Sequence, residues 1–284
     1  MARAQRVGAL SGTSVDITFR GVGVHYPGGV RGLQDIDLRI PAGQMVVVVG
    51  LSGAGKSTLV RTINGLVPVT DGELTVGDRR LPTARSAGGA RIGASRGREL
   101  RELRSGIGMV FQGFNLAGRA TVLDNVLMGR LHHAPTWRTL LGAWRADDVE
   151  LAMQALERVG IVDKAYVRAG HLSGGQQQRV AIARALAQQP QVVLADEPVA
   201  SLDPPTSHTV MRDLERINAE LGITVVVNLH FLDLARRYGR RLIGLRGGRI
   251  VYDGTGGDAD EQVLADIYGR SLTGEDVLEA RAQP

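Results

Sequence analysis

Four stretches of the chain hold residues whose types and spacing suit chemistry. The first is "GLSGAGKST", residues 50–58, which fits the pattern G-x-x-x-x-G-K-[ST]. Gly50, Gly53 and Gly55 free the backbone to curl until successive N–H groups converge on an anion. The apolar run "MVVVVG" precedes the loop and a helical pattern begins at Lys56. A helix N-terminus there adds unpaired donors and positive dipole. A chance glycine turn has no reason to stand between that strand and that helix. In such a loop Ser52 joins the cradle, and Lys56 sets a compact charge between β- and γ-phosphates. Ser57 ligates Mg2+ and Thr58 bonds a phosphate oxygen. Only Lys56 and Lys164 are lysine among 34 basic side chains, so an ammonium kept at 56 is informative.

The second stretch is "QVVLADEP", where an apolar run ends in two acids. Asp196 and Glu197 then emerge at the C-terminal end of a strand, where α/β ligand sites lie. Asp196 is the expected Mg2+ partner, and Glu197 is placed to orient or deprotonate an attacking water. The third, "ITVVVNLH", ends a similar strand on His230, which is expected at the γ-phosphate. Gln112, just after "IGMVF", offers its amide to the metal or the water. A phosphate loop alone suits a GTPase, a kinase or an ATPase, and the acidic pair narrows that choice.

The fourth, "LSGGQ" at 172–176, has neither carboxylate nor cysteine. Ser173 and Gln176 have the spacing of a capping box, so a helix over 174–188 is predicted to begin there. Gly174 and Gly175 leave its first turn bare, and Gln176, Gln177 and Gln178 add no negative charge. Such a terminus is either a plain helix start or one prepared to receive an anion from outside.

These stretches need elements to position them. "VDITFRGVGVHY" and "LQDIDLRI" read as strands, and 45–50 as a strand buried on both faces. A helix near 56–66 and strands at 73–77 and 107–111 follow. The second half predicts strand 192–195, helix 206–221 and strands 223–228 and 241–245. That alternation argues for an α/β core with a mostly parallel sheet. Between Phe111 and Leu172 the pattern turns helical, an inserted lobe of about residues 113–175. Trp137 and Trp144, seven apart, are expected to pack its core rather than to meet another protein. Residues 83–98, rich in Arg, Gly, Ser and Ala, are expected to form a flexible surface loop. Residues 1–13 read as a leader. The tail after 258 holds one amphipathic stretch, "DEQVLADIYG", and then a polar end.

Composition bounds the remaining possibilities. Hydrophobic content of 43% and charged content of 22% are ordinary for a soluble globular chain, and no apolar run approaches a bilayer span of roughly 20 residues. Any membrane role is therefore expected to pass through a partner. The absence of cysteine excludes disulfides, thiol nucleophiles and thiolate-bound metals. The histidines show no metal-ligand spacing beyond the adjacent pair His132 and His133. A net charge of +5 leans toward nucleic acid or anionic lipid, but the arginine excess reads as composition rather than function.

Taken in order, the phosphate loop, Gln112, LSGGQ, the acidic strand end, "SLD" at 201–203 and His230 resemble the ATP-binding subunits of ABC transporters, over about residues 15–255. The resemblance implies a P-loop NTPase (RecA-like) α/β core with an antiparallel β subdomain and an inserted α-helical subdomain. One nucleotide-binding domain would then span 14–257, between the leader 1–13 and the tail 258–284. It implies ATP and Mg2+ as ligands and a homodimer that sandwiches nucleotide. Ser173, Gly175, Gln176 and Asp203 would contact that nucleotide, and Tyr26 would stack on adenine. "GMVFQGFNLAGRATVLDNVLMGRLHHAPTWRTLLG" and "VVNLHFLDLARRYGRRLIGLRGGRIVYDG" look like the ATPase subunit of bacterial phosphonate importers, whose relatives handle phosphate and phosphite. That family implies separate transmembrane permease subunits and an extracytoplasmic solute-binding protein engaged indirectly. It implies a peripheral place on the cytoplasmic face of the membrane. Two departures stand out: the loop at 83–98 is long for the family, and Gly113 stands where a polar residue is expected. Uptake of another solute, such as phosphate or an amino acid, is an alternative. So is a soluble ABC protein acting on nucleic acid or ribosomes. Such proteins usually carry two cassettes, long coiled coils or zinc-binding cysteines, and this chain has none, so nucleic acid is not an expected partner.

Overall fold

The computed structural model describes residues 14–83, 94–135, 139, 142–270, 273 and 276–278. The leader, Trp137 and residues 84–93 lie outside them. In chain order come β1 (Ile17–His25), β2 (Arg31–Ile40), β3 (Met45–Val49), α1 (Lys56–Ile63), β4 (Asp71–Val76), β5 (Arg79–Arg80), α2 (Ala94–Ser105) and β6 (Ile107–Val110). The helical lobe follows with α3 (Val122–Leu127), α4 (Ala146–Arg158) and α5 (Gly174–Ala187). The chain then runs through β7 (Val192–Asp196), α6 (Pro204–Leu221), β8 (Thr224–Asn228), α7 (Leu232–Tyr238), β9 (Leu242–Arg246), β10 (Arg249–Gly254) and α8 (Glu261–Tyr268).

The strands form two sheets. One is antiparallel, in the order β2-β1-β4-β5; the other runs β10-β9-β3-β8-β7-β6 and is parallel except for β10. The residues of β3 explain its central place. All five are buried, with Met45, Val47 and Val49 in one core and Val46 and Val48 in another. A strand side chain points to alternate faces, so a run without a polar position can only sit between two layers. On one face Leu59, Val60 and Ile63 of α1 join Phe19, Ile36 and Leu74 of the antiparallel sheet. On the other, α5 and α6 cover the sheet and continue into the lobe.

Within the lobe, Leu151, Ala152, Ala155 and Leu156 form the buried stripe of α4. Leu156 is fully buried, and truncating such a residue costs about 2–5 kcal/mol. A buried ion pair ties the layers. Arg130 Nε donates to Asp148 Oδ1 at 2.9 Å, while Nη1 donates to the Ala187 carbonyl at 2.9 Å at the end of α5. The guanidinium thus meets both a carboxylate and the negative end of a helix dipole.

Two expectations need correction. Residues 94–98, taken as loop, open α2: Glu99 and Glu102 follow the basic residues, and Leu103 buries against Ile107 in the core beneath the antiparallel sheet. The packing expected of Trp144 is met, since it lies half-buried against the larger core just before α4. The helix at 56–66 stops at Ile63, where Asn64 takes over as cap and its Oδ1 accepts from Leu66 N at 3.0 Å.

Candidate functional site

The strand order β3-β8-β7-β6 delivers four sequence-distant stretches to one end of the sheet. From β3 comes the 50–58 loop, from β8 Asn228 and His230, from β7 Asp196 and Glu197, and from β6 Gln112. Asp196 pairs in register with Asn228, and Val48 with Asn228 on its other side.

The loop itself is built on steric necessity. Gly50 has φ +149 and a Cβ there would lie 2.2 Å from the Leu245 carbonyl oxygen; Gly55 has φ +104 and a Cβ would lie 2.4 Å from that of Gly32. No other residue type fits either position. Lys56 is buried and folds back on the loop, its Nζ donating to Gly50 O at 2.7 Å and Leu51 O at 3.1 Å. Burial pushes its pKa down, while the charges of Glu197 and Asp196 pull it up; the net direction is down. A phosphate oxygen is a better partner for this ammonium than two carbonyls.

Asp196 is buried and fully engaged. It accepts from Ser57 Oγ at 2.8 Å, Asn228 Nδ2 at 2.8 Å and Arg61 Nε at 3.1 Å. Among the described residues Asn228 Oδ1 in the same cluster is buried and has no hydrogen-bond partner. The hydroxyl of Ser57, the carboxylate of Asp196 and that amide oxygen are all hard oxygen donors, which suits Mg2+. Glu197 holds a left-handed backbone, φ +54, unusual for a residue with a side chain. Its N–H donates to Asn228 O at 3.2 Å, and its Oε1 meets His230 Nε2 at 2.5 Å. Strained backbones of this kind persist where the surroundings hold them, often at functional sites.

Two cavities flank this cluster. One is lined by Tyr26, Ser52, Gly53, Gly55, Lys56 and Thr58, with Glu197 and His230 at its edge. There Tyr26 OH and Thr58 Oγ1 lie 3.0 Å apart, so the half-exposed ring stands beside the loop. The other cavity brings Gln112 together with Ser52, Glu197 and His230.

The LSGGQ run lines neither cavity. The expected capping box forms: Ser173 N donates to Gln176 Oε1 at 3.0 Å, and Gln176 N to Ser173 Oγ at 3.4 Å. The N–H groups of Gly174 and Gly175 stand ahead of the first intrahelical bonds. Gly175 is small for a further reason, since a Cβ would lie 2.3 Å from Thr206 Cγ2. That contact sets the start of α5 against the start of α6, whose N-cap is Asp203, accepting from Thr206 N at 3.2 Å. Ser173, Gly175, Gln176 and Asp203 therefore form a second cluster. The hydrogen bonds from Thr206 hold the exposed Asp203 carboxyl below its ordinary value.

Sequence reasoning overlooked Arg61, Asn228 and the C-terminal residues Tyr268, Arg270 and Asp276, which share a wall of the second cavity. Arg61 was findable, because it lies four residues after Ser57 on one face of α1. The C-terminal residues carry no local signal.

A glycine loop between a buried strand and a helix, with an acidic strand end beside it, defines a phosphate-loop nucleotide-binding protein. Comparison with known proteins gives the family. The family model described as "ABC transporter" matches residues 33–200. The Phosphonates import ATP-binding protein PhnC 3 of Halalkalibacterium halodurans is 51% identical over 92% of this chain and 97% of its own. The Phosphonates import ATP-binding protein PhnC of Shouchella clausii is 54% identical over 92% and 94%. Among solved structures, cbiO1 from Clostridium perfringens, part of the ABC transporter complex cbiONQ, aligns with TM-score 0.73 and 27% identity, covering 88% of this chain and 92% of that one. A bacterial ABC transporter cassette solved as a dimer aligns with TM-score 0.70 and 32% identity, covering 84% and 98%. The chain belongs to the ABC transporter ATP-binding family, and its fold is the P-loop ATPase fold of that family. It is an ATP-hydrolysing transporter subunit. Among the described residues no helix is long and apolar enough to cross a membrane.

Proposed function

We propose that this chain drives uptake of phosphonate or a related phosphorus oxyanion, hydrolysing ATP as a homodimer docked on separate permease subunits. The observation that carries the solute is the identity above 50%, over nearly full length, to relatives named as phosphonate import ATP-binding proteins. The pairing of Glu197 with His230 beside the phosphate loop carries the chemistry.

Each residue has a stated task in this scheme. Backbone N–H groups of residues 50–58 and the Lys56 ammonium bind the β- and γ-phosphates. Thr58 donates to a phosphate oxygen and Tyr26 stacks on the adenine, with its hydroxyl keeping the ring beside the loop. Ser57 and Asp196 would hold Mg2+, and Gln112 would reach it or the attacking water. A Mg2+ ion held there would supply positive charge to offset the negative charge that develops on the phosphates. Glu197 accepts the proton of the attacking water, and His230 orients that carboxylate and contacts the γ-phosphate. Ser173, Gly175 and Gln176, with Asp203 beside them, serve the nucleotide of the partner subunit. Bare N–H groups on an exposed helix start, apart from the cavities around this chain's own loop, favour that assignment. The permease, and through it a solute-binding protein, places the subunit on the cytoplasmic face of the membrane.

The test is phosphate release by the wild-type chain and by Glu197→Gln. The variant is expected to bind ATP normally while hydrolysis falls by about two orders of magnitude or more; an unchanged rate would remove Glu197 from the chemistry. Assembled with its permease and binding protein, the complex is expected to show ATPase stimulated by methylphosphonate. Stimulation by amino acids alone would overturn the solute.

A further inference from the structure

Tyr268, the last residue of α8, is 2% exposed, and its hydroxyl donates to the main-chain oxygen of His230 at 3.1 Å. Burial raises the phenol's pKa, Asp276 adds to the rise and Arg270 opposes it, so the hydroxyl remains a donor at neutral pH. His230 sits in the short link between β8 and α7, with its ring on Glu197. The chain beyond α8 returns to that same link. Arg270 grips Asp276 through Nη1 at 2.8 Å and Nη2 at 2.9 Å, and Thr273 N–H closes on the same carboxylate at 2.8 Å. Leu278 N then donates to Asp233 Oδ1, in the first turn of α7, at 3.1 Å. The described C-terminal residues thus tie this stretch twice, the link at His230 by Tyr268 and the start of α7 at Asp233 by Leu278. Among the described residues no C-terminal side chain lines the cavity around Lys56 and Thr58; Tyr268, Arg270 and Asp276 line the second cavity, across from Leu51 and Ser52 at the start of the loop.

We propose that Tyr268 is a positioning residue for His230: by holding the His230 carbonyl it fixes the peptide that aims the imidazole at Glu197, and so sets the rate of hydrolysis without entering nucleotide binding. The inference rests on His230 and Glu197 acting in hydrolysis as proposed above. A carbonyl released from its donor turns its peptide plane, and a small rotation there moves a ring several bonds away.

Tyr268→Phe in the full-length chain removes the hydroxyl and keeps the ring. Steady-state kcat is expected to fall about three- to tenfold, the range for one lost hydrogen bond. The KM for ATP and the affinity for a slowly hydrolysed ATP analogue are expected to stay at wild-type values. In a His230→Ala background the same change is expected to cost nothing more, because its effect passes through the imidazole. Wild-type kcat in Tyr268→Phe, with His230→Ala strongly impaired, overturns the positioning role and leaves the role of His230 intact. Wild-type turnover in His230→Ala overturns both. Should Tyr268→Phe fold poorly, Arg270→Gln opens the clip to Asp276 while keeping the phenol. A smaller fall in kcat at constant KM supports the proposal, and an unchanged kcat or a parallel rise in KM counts against it.

Discussion

Asp196 gathers three donors onto one buried carboxylate, and two of them, Ser57 and Asn228, are themselves hydrogen-bonded to each other at 3.3 Å. Arg61 is the member with charge, its Nη2 lying 2.9 Å from Oδ2 while its side chain is half exposed. The guanidinium occupies a carboxylate that Mg2+ is proposed to share. It is the charged hydrogen-bond partner of that carboxylate, whose other hydrogen-bond donors, Ser57 and Asn228, are neutral. Arg61→Met is therefore expected to lower the stability of the nucleotide-free chain by about 1–2 kcal/mol, discounted for the exposure of the arginine. With saturating Mg-ATP the loss is expected to shrink, since the metal takes over as partner. Urea unfolding with and without Mg-ATP measures both. An equal loss in the two states would show that arginine and metal do not share Asp196.

At the level of elements, what the sequence displayed depended on whether a signal was local. The capping box at Ser173, the all-valine interior of β3 and the acids ending β7 each carry their reason within a few residues, and the structure builds all three. Helix α2 was hidden because its arginines and glycine resemble a solvated loop, while its fit depends on Leu103 meeting β6. The role of Gly175 was half legible: its bare N–H follows from sequence, but its closeness to Thr206 needs two helices folded together. The segment after α8 reads as a polar end for the same reason. Its Asp276 finds Arg270 and Thr273 nearby in sequence, yet the cavity that Arg270 and Asp276 wall also holds Ser52, Gln112, Glu197 and His230, far earlier in the chain. Burial pushes the Asp276 carboxyl up, but the bonds from Arg270 and Thr273 outweigh it and hold the pKa below the ordinary 3.8. A depressed carboxylate stabilises the fold above its unfolded value, and that contribution is lost as pH falls through the folded value. Asp276→Asn is therefore expected to be less stable than wild type at neutral pH. The gap should narrow as pH drops below about 5 and close below 3.8. Thermal unfolding across that window checks it, and a gap that widens with acid would contradict the sign.

For the whole molecule the decisive feature is that one chain carries two separate clusters, which the proposed function makes half-sites. The sheet collects residues 50–58, 112, 196–197 and 230 at one end, an arrangement set by strand order, which no stretch of sequence displays. The starts of α5 and α6 collect Ser173, Gly175, Gln176 and Asp203 elsewhere. In a two-fold dimer each half-site of one subunit meets the complementary half of the other, so each composite site needs one intact copy of each. Ser173→Arg fills the exposed half at the start of α5 with a bulky cation and leaves the phosphate loop untouched, whereas Lys56→Ala does the reverse. Each variant alone is expected to form dimers with no working site. Mixed, about half the dimers are heterodimers and each of these holds one intact site, giving at most about a quarter of the wild-type rate by the statistics of a symmetric pair. Phosphate release from the two variants, assayed apart and then mixed at equal concentration, is the measurement. A mixture no faster than its components would mean that the two clusters do not meet across a dimer, or that one intact site cannot turn over alone. Cross-linking of the mixed pair in ATP separates those cases, because only the second forms dimers.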